Sequence, residues 1–160
     1  MDARIRGYEP GDEEPVVALS LRAWAPVFDS LARVLGPEIF GRLHADWRSD
    51  QARAVRDTLG DPALRVWVAE AERRVFGFVA IRLHRERMIG EIAMLAVDPD
   101  GQGRGTGTIL TEFATERVRD AGMTVGMIET GGDPGHAPAR RVYEKAGYTL
   151  LPVARYFKAL

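Results

Sequence analysis

Four glycines occupy every second position of one short segment, at residues 101, 103, 105 and 107. The residues before the segment read as a strand, and the aliphatic residues after it have the spacing of a helix. A strand, a glycine-rich turn and a helix in this order leave the first N–H groups of the helix unpaired, with the positive end of the helix dipole behind them. Glycine at these positions also lets an anion approach the backbone closely. The segment therefore predicts a binding site for an anion such as phosphate.

Two common phosphate-binding sequences do not fit this segment. A P-loop ends in Gly-Lys-Ser/Thr, and no lysine occurs here. A dinucleotide-binding turn needs G-x-G-x-x-G, and the last position of that pattern is not glycine in any frame that these glycines allow. The pattern that remains is Gln102-x-x-Gly105-x-Gly107.

This pattern resembles the Q/R-x-x-G-x-G/A signature of the GCN5-related N-acetyltransferases (the GNAT superfamily), which hold the pyrophosphate of coenzyme A with it. Two further segments resemble the family. EIAMLAVDPD, residues 91–100, resembles the strand that precedes the signature, with its V-D-P loop. HAPARRVYEKAGY, residues 136–148, resembles the later motif N-x-x-A-x-x-L/V-Y-E-K-x-G-F/Y. The resemblance covers about residues 65–148, more than half of the chain.

The resemblance implies an N-acetyltransferase that moves the acetyl group of acetyl-CoA to a primary amine by direct attack in a ternary complex. Glu91 stands where many family members keep the general base, and Glu129, at the end of the next strand, is a second candidate. Tyr143 stands where the family has its general acid. Each residue also has a structural alternative. Either glutamate can be a solvated charge at a strand end, and Tyr143 can be a core residue on the apolar face of its helix.

The resemblance also implies a set of cofactor-binding residues. The main-chain amide of Leu95 takes the place of the donor to the thioester oxygen, and Val97 that of the residue that pairs with the pantetheine arm. At His136 the sequence departs from the family, which commonly has asparagine there. The implied cofactor is acetyl-CoA, without a metal. The candidate cofactor-binding residues are Leu95, Ala96, Val97, Gln102, Gly103, Arg104, Gly105, Thr106, Gly107 and His136.

The elements that position these residues follow the order β-α-α-β-β-β-α-β-α-β, which predicts a mixed α/β fold with helices on both faces of a sheet. The resemblance makes this a twisted, mostly antiparallel sheet of the GNAT type. A break at LGPE, residues 35–38, separates the first two helices. The helix after the glycines spans about residues 105–121, and YTLLPVARYFKAL, residues 148–160, predicts a final strand or hairpin. No repeat or linker interrupts the sequence, so we expect one domain over residues 1–160.

The composition limits the partners. The formal net charge is −1, which argues against nucleic-acid binding. No run approaches the ~20 apolar residues of a membrane span, and the amino terminus lacks the apolar core of a signal peptide, so we expect a cytoplasmic protein. The absence of cysteine excludes a thiolate metal site and a cysteine nucleophile.

The sequence leaves three questions open. The acceptor amine is either a small molecule or a peptide, and nothing decides for or against a homodimer. A non-catalytic acyl-CoA-binding sensor is the alternative to an enzyme. The presence of Glu91, Glu129 and Tyr143 favours the enzyme.

Overall fold

The computed structural model describes residues 3–160. Its helices and strands are, in chain order, β1 (Arg4–Gly7), α1 (Glu13–Leu43), α2 (Trp47–Gly60), β2 (Leu64–Ala71), β3 (Arg74–His84), β4 (Ile89–Val97), α3 (Thr106–Asp120), β5 (Val125–Ile128) and α4 (Ala137–Lys145). Short 3-10 turns precede α1, α3 and α4 and join β3 to β4. This order confirms the predicted mixed α/β fold up to the end of α4.

The five strands form one sheet in sequence order. Neighbouring strands are antiparallel except β4 and β5, which are parallel because α3 forms the crossover between them. Glu72 and Arg73 join β2 to β3 with φ values of 51° and 65°, and this geometry suits a two-residue hairpin turn. The predicted mostly antiparallel sheet is confirmed.

Helices cover both faces of the sheet, as predicted. On the α1 face, α1 and α2 pack on the sheet through a core that contains Val16, Leu19, Val55, Val68 and Phe78. On the α3 face, α3 packs on the sheet through a core that contains Val79, Ile81, Ile92, Leu110 and Ala114. These two names are used for the faces below.

Strand β4 contains one extra residue. Ala80 of β3 pairs with Met94 and Ile81 pairs with Ile92, so Ala93 has no partner in β3. A bulge of this kind shifts the alternation of side chains along the strand. Ile92 packs in the core of the α3 face and Met94 packs on that of the α1 face. Glu91, the neighbour of Ile92, therefore lies on the α1 face.

Strand β5 accompanies β4 over only part of its length. The register pairs residues 89–92 of β4 with residues 125–128, where β5 ends. Beyond this point, residues 93–97 have no strand of the described chain on that side. The main-chain N–H groups that this part of β4 directs away from β3 are therefore free to pair with a ligand.

The predicted break between the first two helical stretches is confirmed at Gly36, whose φ of 79° and ψ of 162° are not helical, so α1 consists of two stretches on either side of it. The second predicted stretch is itself divided: its first part, residues 37–43, ends α1, and α2 begins at Trp47, where the Asp46 side chain accepts a hydrogen bond from the Ser49 N–H at 3.3 Å. Within residues 3–160, no helix combines the length and the apolar composition needed to span a bilayer.

The predicted final strand is not formed. Residues 149–160 contain no helix or strand, and all of them except Ala159 are exposed. Pro152 removes a main-chain donor, and the adjacent Leu150 and Leu151 break the alternation that a half-buried strand requires. Tyr148 is the last residue of the chain that packs on the core of the α3 face.

Candidate active site

The glycine-rich turn links β4 to α3. Pro99–Gly101 forms a 3-10 turn, and Gly105 is the N-cap of α3. Gly103 and Gly105 have φ values of 77° and 79°, which lie in the left-handed region that favours glycine. A Cβ at either position would meet open space. Backbone conformation, and not crowding within the chain, therefore requires glycine at these two positions.

Six consecutive amides of the turn, from Gly103 to Thr108, donate no hydrogen bond to an acceptor within residues 3–160. The Ile109 N–H is the first that bonds in the helical pattern, to the Gly105 carbonyl at 2.9 Å. Unpaired amides with the α3 dipole behind them form a site for an anion. Arg104, exposed in the middle of the turn, adds a positive charge.

Helix α4 meets the start of α3 at Gly107. A Cβ at Gly107 would lie 3.9 Å and 4.0 Å from the two methyl groups of Val142. The next residue of α4 is Tyr143, so this contact places Tyr143 close to the turn. The buried Thr106 hydroxyl also fixes the turn, since it donates to the Gly101 carbonyl at 3.4 Å.

Asp98 anchors the base of the turn and is only 1% exposed. It accepts hydrogen bonds from Arg22 of α1 at 2.5 Å, from Arg74 of β3 at 3.2 Å and from the Asp100 N–H at 3.0 Å. Burial alone raises the pKa of a carboxyl group, but the bonds from Arg22 and the Asp100 amide outweigh it, so the pKa of Asp98 is lowered. These bonds join α1, β3 and the turn.

Replacing Asp98 by asparagine is expected to reduce the free energy of unfolding at pH 7 by about 1–3 kcal/mol, because two arginines lose a charged acceptor. A lowered pKa means that this contribution is complete above the unfolded-state value of about 3.9 and is lost as the pH falls through the folded-state pKa. Urea titrations at pH 7 and pH 3 measure the difference, which should shrink at pH 3.

The control for this variant is Asp100→Asn. The Asp100 side chain is 77% exposed and lies 3.3 Å from Arg74, so its replacement should change the free energy of unfolding by less than about 0.5 kcal/mol. Equal losses in the two variants would contradict the anchoring role of Asp98.

The open side of β4 lies beside the turn. The Asp98 N–H donates to a carbonyl of β3 at 2.7 Å, so the alternation of a strand directs the main-chain groups of Ala96 to β3 as well. The main-chain groups of Leu95 and Val97 point away from β3, to the side on which β5 has already ended. The Gln102 side-chain amide donates to the Val97 carbonyl at 3.1 Å. The N–H groups of Leu95 and Val97 therefore face the opening between β4 and β5.

Glu91 lies near the other end of β4. One of its carboxylate oxygens is 2.7 Å from Nε2 of His84, the last residue of β3. The two side chains keep 26% and 34% of their surface exposed. His84 therefore fixes one oxygen of Glu91, and the other oxygen can accept a proton.

Glu129 is the residue directly after β5 and is exposed. Met127, two residues earlier, is the Cα partner of Glu91 in β4, so the two glutamates lie on neighbouring strands. Side chains of registered partners in a parallel pair share a face of the sheet, so Met127 lies on the α1 face with Glu91, and Glu129 follows two residues later.

Tyr143 lies on α4 and is partly buried. Burial, and to a lesser extent the nearby Tyr148, raises the pKa of Tyr143 to about 12. The phenol is therefore protonated at neutral pH. Among residues 3–160 no group forms a hydrogen bond with its hydroxyl, which can donate to a ligand.

His136 precedes α4 in a network that reaches α1. Its Nδ1 forms a hydrogen bond with Asp133. The Ser30 hydroxyl donates to Asp133 at 2.6 Å and accepts from the Gly135 N–H at 2.9 Å. Although burial alone raises the pKa of Asp133, the bonds from Ser30 and His136 lower it overall. This network, with no bond to the glycine turn, sets the position of the predicted site residue His136.

Sequence reasoning missed His84, Ser30 and Asp133. Ser30 and Asp133 are 103 positions apart, so no local pattern connects them. The turn sequence Asp133-Pro134-Gly135 is a signal that could have identified Asp133, because aspartate before proline and glycine commonly caps a turn. His84 carries no signal of this kind, since its partner lies in the next strand.

Comparisons with known proteins show the family of the chain. The sequence model of the acetyltransferase (GNAT) family matches residues 28–148. The mycothiol acetyltransferase of Thermomonospora curvata is 33% identical over 149 residues, and that of Saccharomonospora viridis is 30% identical over 164. The alignments cover 93% and 92% of this chain but 45% and 46% of those proteins. The chain thus spans about half the length of these curated relatives.

Solved structures share the fold at low sequence identity. The PaiA N-acetyltransferase from Thermoplasma acidophilum, solved in complex with coenzyme A, is 14% identical, with a TM-score of 0.70 over 96% of this chain and 94% of its own. AAC(6')-Iy, solved with the bisubstrate analog CoA-S-monomethyl-acetylneamine, is 14% identical, with a TM-score of 0.66 over 100% of this chain and 99% of its own. Because the family model covers residues 28–148, which include β4, the glycine turn and α4, the chain belongs to the GNAT family of acetyltransferases.

Proposed function

We propose that the protein transfers the acetyl group of acetyl-CoA to the primary amine of an acceptor molecule. The observation that carries this proposal is the run of six unpaired amides from Gly103 to Thr108, which lies beside the open edge of β4. One end of a long cofactor binds at such a turn through its pyrophosphate, and the edge of a strand can hold an extended arm. Membership of the GNAT family supports the same assignment.

The turn and β4 bind and orient the cofactor. The amides of residues 103–108 donate to the pyrophosphate, and Arg104 adds a charge-assisted bond. The Val97 N–H pairs with the pantetheine arm, and the Leu95 N–H donates to the thioester carbonyl oxygen. A fixed donor to an oxygen on which negative charge develops lowers the activation free energy by roughly 3 kcal/mol.

Acetyl-CoA supplies an acyl group that a neutral amine can attack. An alkylammonium has a pKa near 10.4, so the neutral amine costs about 4–5 kcal/mol at pH 7. We assign removal of this proton to Glu91, whose free carboxylate oxygen lies on the α1 face beside the opening between β4 and β5. Glu129 is the second candidate, on the neighbouring strand.

Tyr143 acts on the departing sulfur. The contact between Val142 and Gly107 brings α4 to the glycine turn, which supports a position for the neighbouring Tyr143 on the cofactor side of the sheet opening. With a pKa of about 12, the phenol donates a hydrogen bond to the thiolate. Complete proton transfer is less favourable than it would be for a phenol of ordinary pKa.

We propose a small molecule as the acceptor. The names of the similar proteins refer to mycothiol and to an acetylneamine analog, which are small molecules. The test is a panel of small amines and of peptides mixed with the protein and acetyl-CoA, with free thiol and acetylated product as readouts. Acetylation of small amines supports the proposal, and acetylation of peptides alone contradicts the acceptor class. Binding of the cofactor without turnover of any amine would favour a non-catalytic sensor.

Replacing Gly105 by alanine is expected to weaken acetyl-CoA binding. A side chain in the left-handed region costs about 1–2 kcal/mol, and the free turn relaxes to avoid this cost. Binding must then restore the turn, so the Kd should rise by about 5- to 30-fold. Isothermal titration calorimetry measures the change.

Gly41→Ala is the matched control for this variant. Gly41 lies in α1 with an ordinary φ, and a Cβ there would meet open space. Alanine favours a helix over glycine, so this variant should fold at least as well as the wild type and bind acetyl-CoA equally. Wild-type affinity in Gly105→Ala would contradict the assigned role of the turn.

A further inference from the structure

Packing alone holds helix α4 weakly. The helix has nine residues, and none of them is fully buried. A helix this short is marginal by itself in water, so tertiary contacts must fix its position. Its contact with α3 at Gly107 is made by Val142, in the second half of the helix. The N-terminal end of α4 therefore depends on other contacts.

A polar network provides these contacts. The Asp133 carboxylate accepts a hydrogen bond from the Ser30 hydroxyl of α1 at 2.6 Å and forms a second bond with His136, the N-cap of α4. Arg140 of α4 donates to the carbonyls of Gly131 and Asp133 at 2.6 Å and 2.8 Å. The side chains of Asp133 and His136 are only 8% and 19% exposed. Ser30, Asp133, His136 and Arg140, the α1–α4 bracket, thus tie the start of α4 to α1.

The loop before α4 lies directly against α1. A Cβ at Gly135 would lie 2.5 Å from the Cβ of Ser30, a distance at which the two atoms would overlap. Ser30 is buried, and the N-terminal part of α1 packs in the core of the α1 face through Val16 and Leu19. A hydrogen bond in such a buried place is electrostatically stronger than the same bond in water. The bracket therefore joins α4 to a firmly packed helix.

The bracket holds the face of α4 that carries Tyr143. Residues four and seven positions apart lie on one face of a helix, and His136, Arg140 and Tyr143 occupy positions i, i+4 and i+7. Seven residues correspond to about 10 Å along the helix axis. A rotation or tilt of α4 at the bracket would therefore move the Tyr143 side chain.

We propose that Ser30, Asp133 and Arg140 are positioning residues for the reaction, because they fix α4 in the orientation that directs the Tyr143 hydroxyl to the departing sulfur. This inference rests on the acid role proposed for Tyr143. A misplacement of a reacting group by about 1 Å can lower a rate about 10²-fold. The bonds of the bracket join α1, the loop before α4 and α4 itself, so their loss should act on kcat more than on cofactor binding.

Ser30→Ala is expected to lower kcat by about 5- to 30-fold and to leave the KM for acetyl-CoA within about threefold of the wild-type value. The matched control is Ser20→Ala. Ser20 is also a buried serine of α1, but its hydroxyl donates to the Val16 carbonyl of the same helix at 2.7 Å. The control should keep the wild-type kcat, and equal kcat values in the two serine variants would overturn the proposal.

Arg140→Gln tests the same network from α4 and leaves α1 intact. We expect it to lower kcat by about 3- to 10-fold. Its control is Arg141→Gln, because Arg141 is the exposed neighbour of Arg140 and is not part of the bracket. A loss of kcat in both arginine variants, or in neither, would overturn the proposal.

A double-mutant cycle separates positioning from a general loss of structure. When the bracket acts through the Tyr143 hydroxyl, Ser30→Ala in a Tyr143→Phe protein should lower kcat by less than about twofold more. A bracket with a merely structural role would make the two losses multiply, and that result would overturn the proposal.

Hydrogen exchange gives a readout that does not depend on activity. In Ser30→Ala the amides of residues 141–145 should exchange faster than in the wild type, with those of α3 unchanged, and unchanged exchange in α4 would overturn the proposal. Wild-type kcat in Tyr143→Phe would contradict the acid role, and this inference would fail with it. A low kcat in Tyr143→Phe together with wild-type kcat in Ser30→Ala would overturn the inference alone.

Discussion

Replacing Tyr143 by phenylalanine is expected to lower kcat by about 10²–10³-fold, the typical loss when a fixed hydrogen-bond donor to developing negative charge is removed. The variant keeps the ring and loses only the hydroxyl, so packing around α4 should be unchanged. The KM for acetyl-CoA should stay within about threefold of the wild-type value, because the lost bond forms only as the thiolate departs. Steady-state kinetics with saturating amine measure both constants. Since the pKa of Tyr143 is about 12, its ionisation should not lower the wild-type rate below about pH 11.

Tyr148→Phe is the control for this prediction. The Tyr148 hydroxyl lies 2.8 Å from the Thr115 hydroxyl of α3, so its loss should lower the free energy of unfolding by about 1 kcal/mol. Its kcat should equal that of the wild type. Equal losses of kcat in the two variants, or wild-type kcat in Tyr143→Phe, would contradict the role assigned to Tyr143.

Glu91→Gln is expected to lower kcat/KM for the amine by about 10²-fold or more at pH 7. The glutamine keeps the size of the side chain and an oxygen for His84, but it cannot take the proton of the ammonium. Below the pKa of the amine, which is near 10.4, the fraction of neutral amine rises about tenfold for each unit by which the pH increases. The ratio of wild-type to variant rates should therefore shrink as the pH rises from 7 to 10, and a pH series of kcat/KM measures it.

Glu129→Gln decides between the two glutamates. Glu91 is held by His84 at 2.7 Å, whereas Glu129 is exposed after the end of β5. We therefore expect Glu129→Gln to change kcat/KM by less than about tenfold. A larger loss in Glu129→Gln than in Glu91→Gln would reassign the base. A loss in Glu91→Gln that stays constant from pH 7 to pH 10 would indicate a structural role for Glu91.

The parts of the site that follow from local chemistry could be predicted from the sequence. The glycine turn is such a part, because the left-handed φ values at Gly103 and Gly105 and the unpaired amides at the start of α3 depend on neighbouring residues alone. The break at Gly36 is another. The alternation of apolar residues in the strands and their helical spacing in the helices also depend on neighbouring residues, so they predicted a sheet covered by helices on both faces.

The parts that depend on distant residues could not be predicted. Simple alternation puts Glu91 on the side of Leu95, and only the bulge at Ala93, which β3 imposes, moves it to the α1 face. The bond between Ser30 and Asp133 joins two elements that no sequence pattern relates. The C-terminal tail has the β-branched and aromatic residues of a strand, but a strand also needs a neighbouring strand to pair with, and the local sequence does not show that residues 149–160 have none.

The carboxylates at the base of the turn have a consequence for the ionic-strength dependence of cofactor binding. Asp98 and Asp100 already pair with Arg22 and Arg74, which lowers the net positive charge that these two guanidinium groups offer to phosphate oxygens. We therefore expect neutral peptide dipoles and the charge of Arg104 to hold the pyrophosphate. Dipoles in contact with an anion are screened far less by dissolved salt than separated charges are. The affinity for the cofactor should therefore change little between dilute buffer and a physiological concentration of sodium chloride.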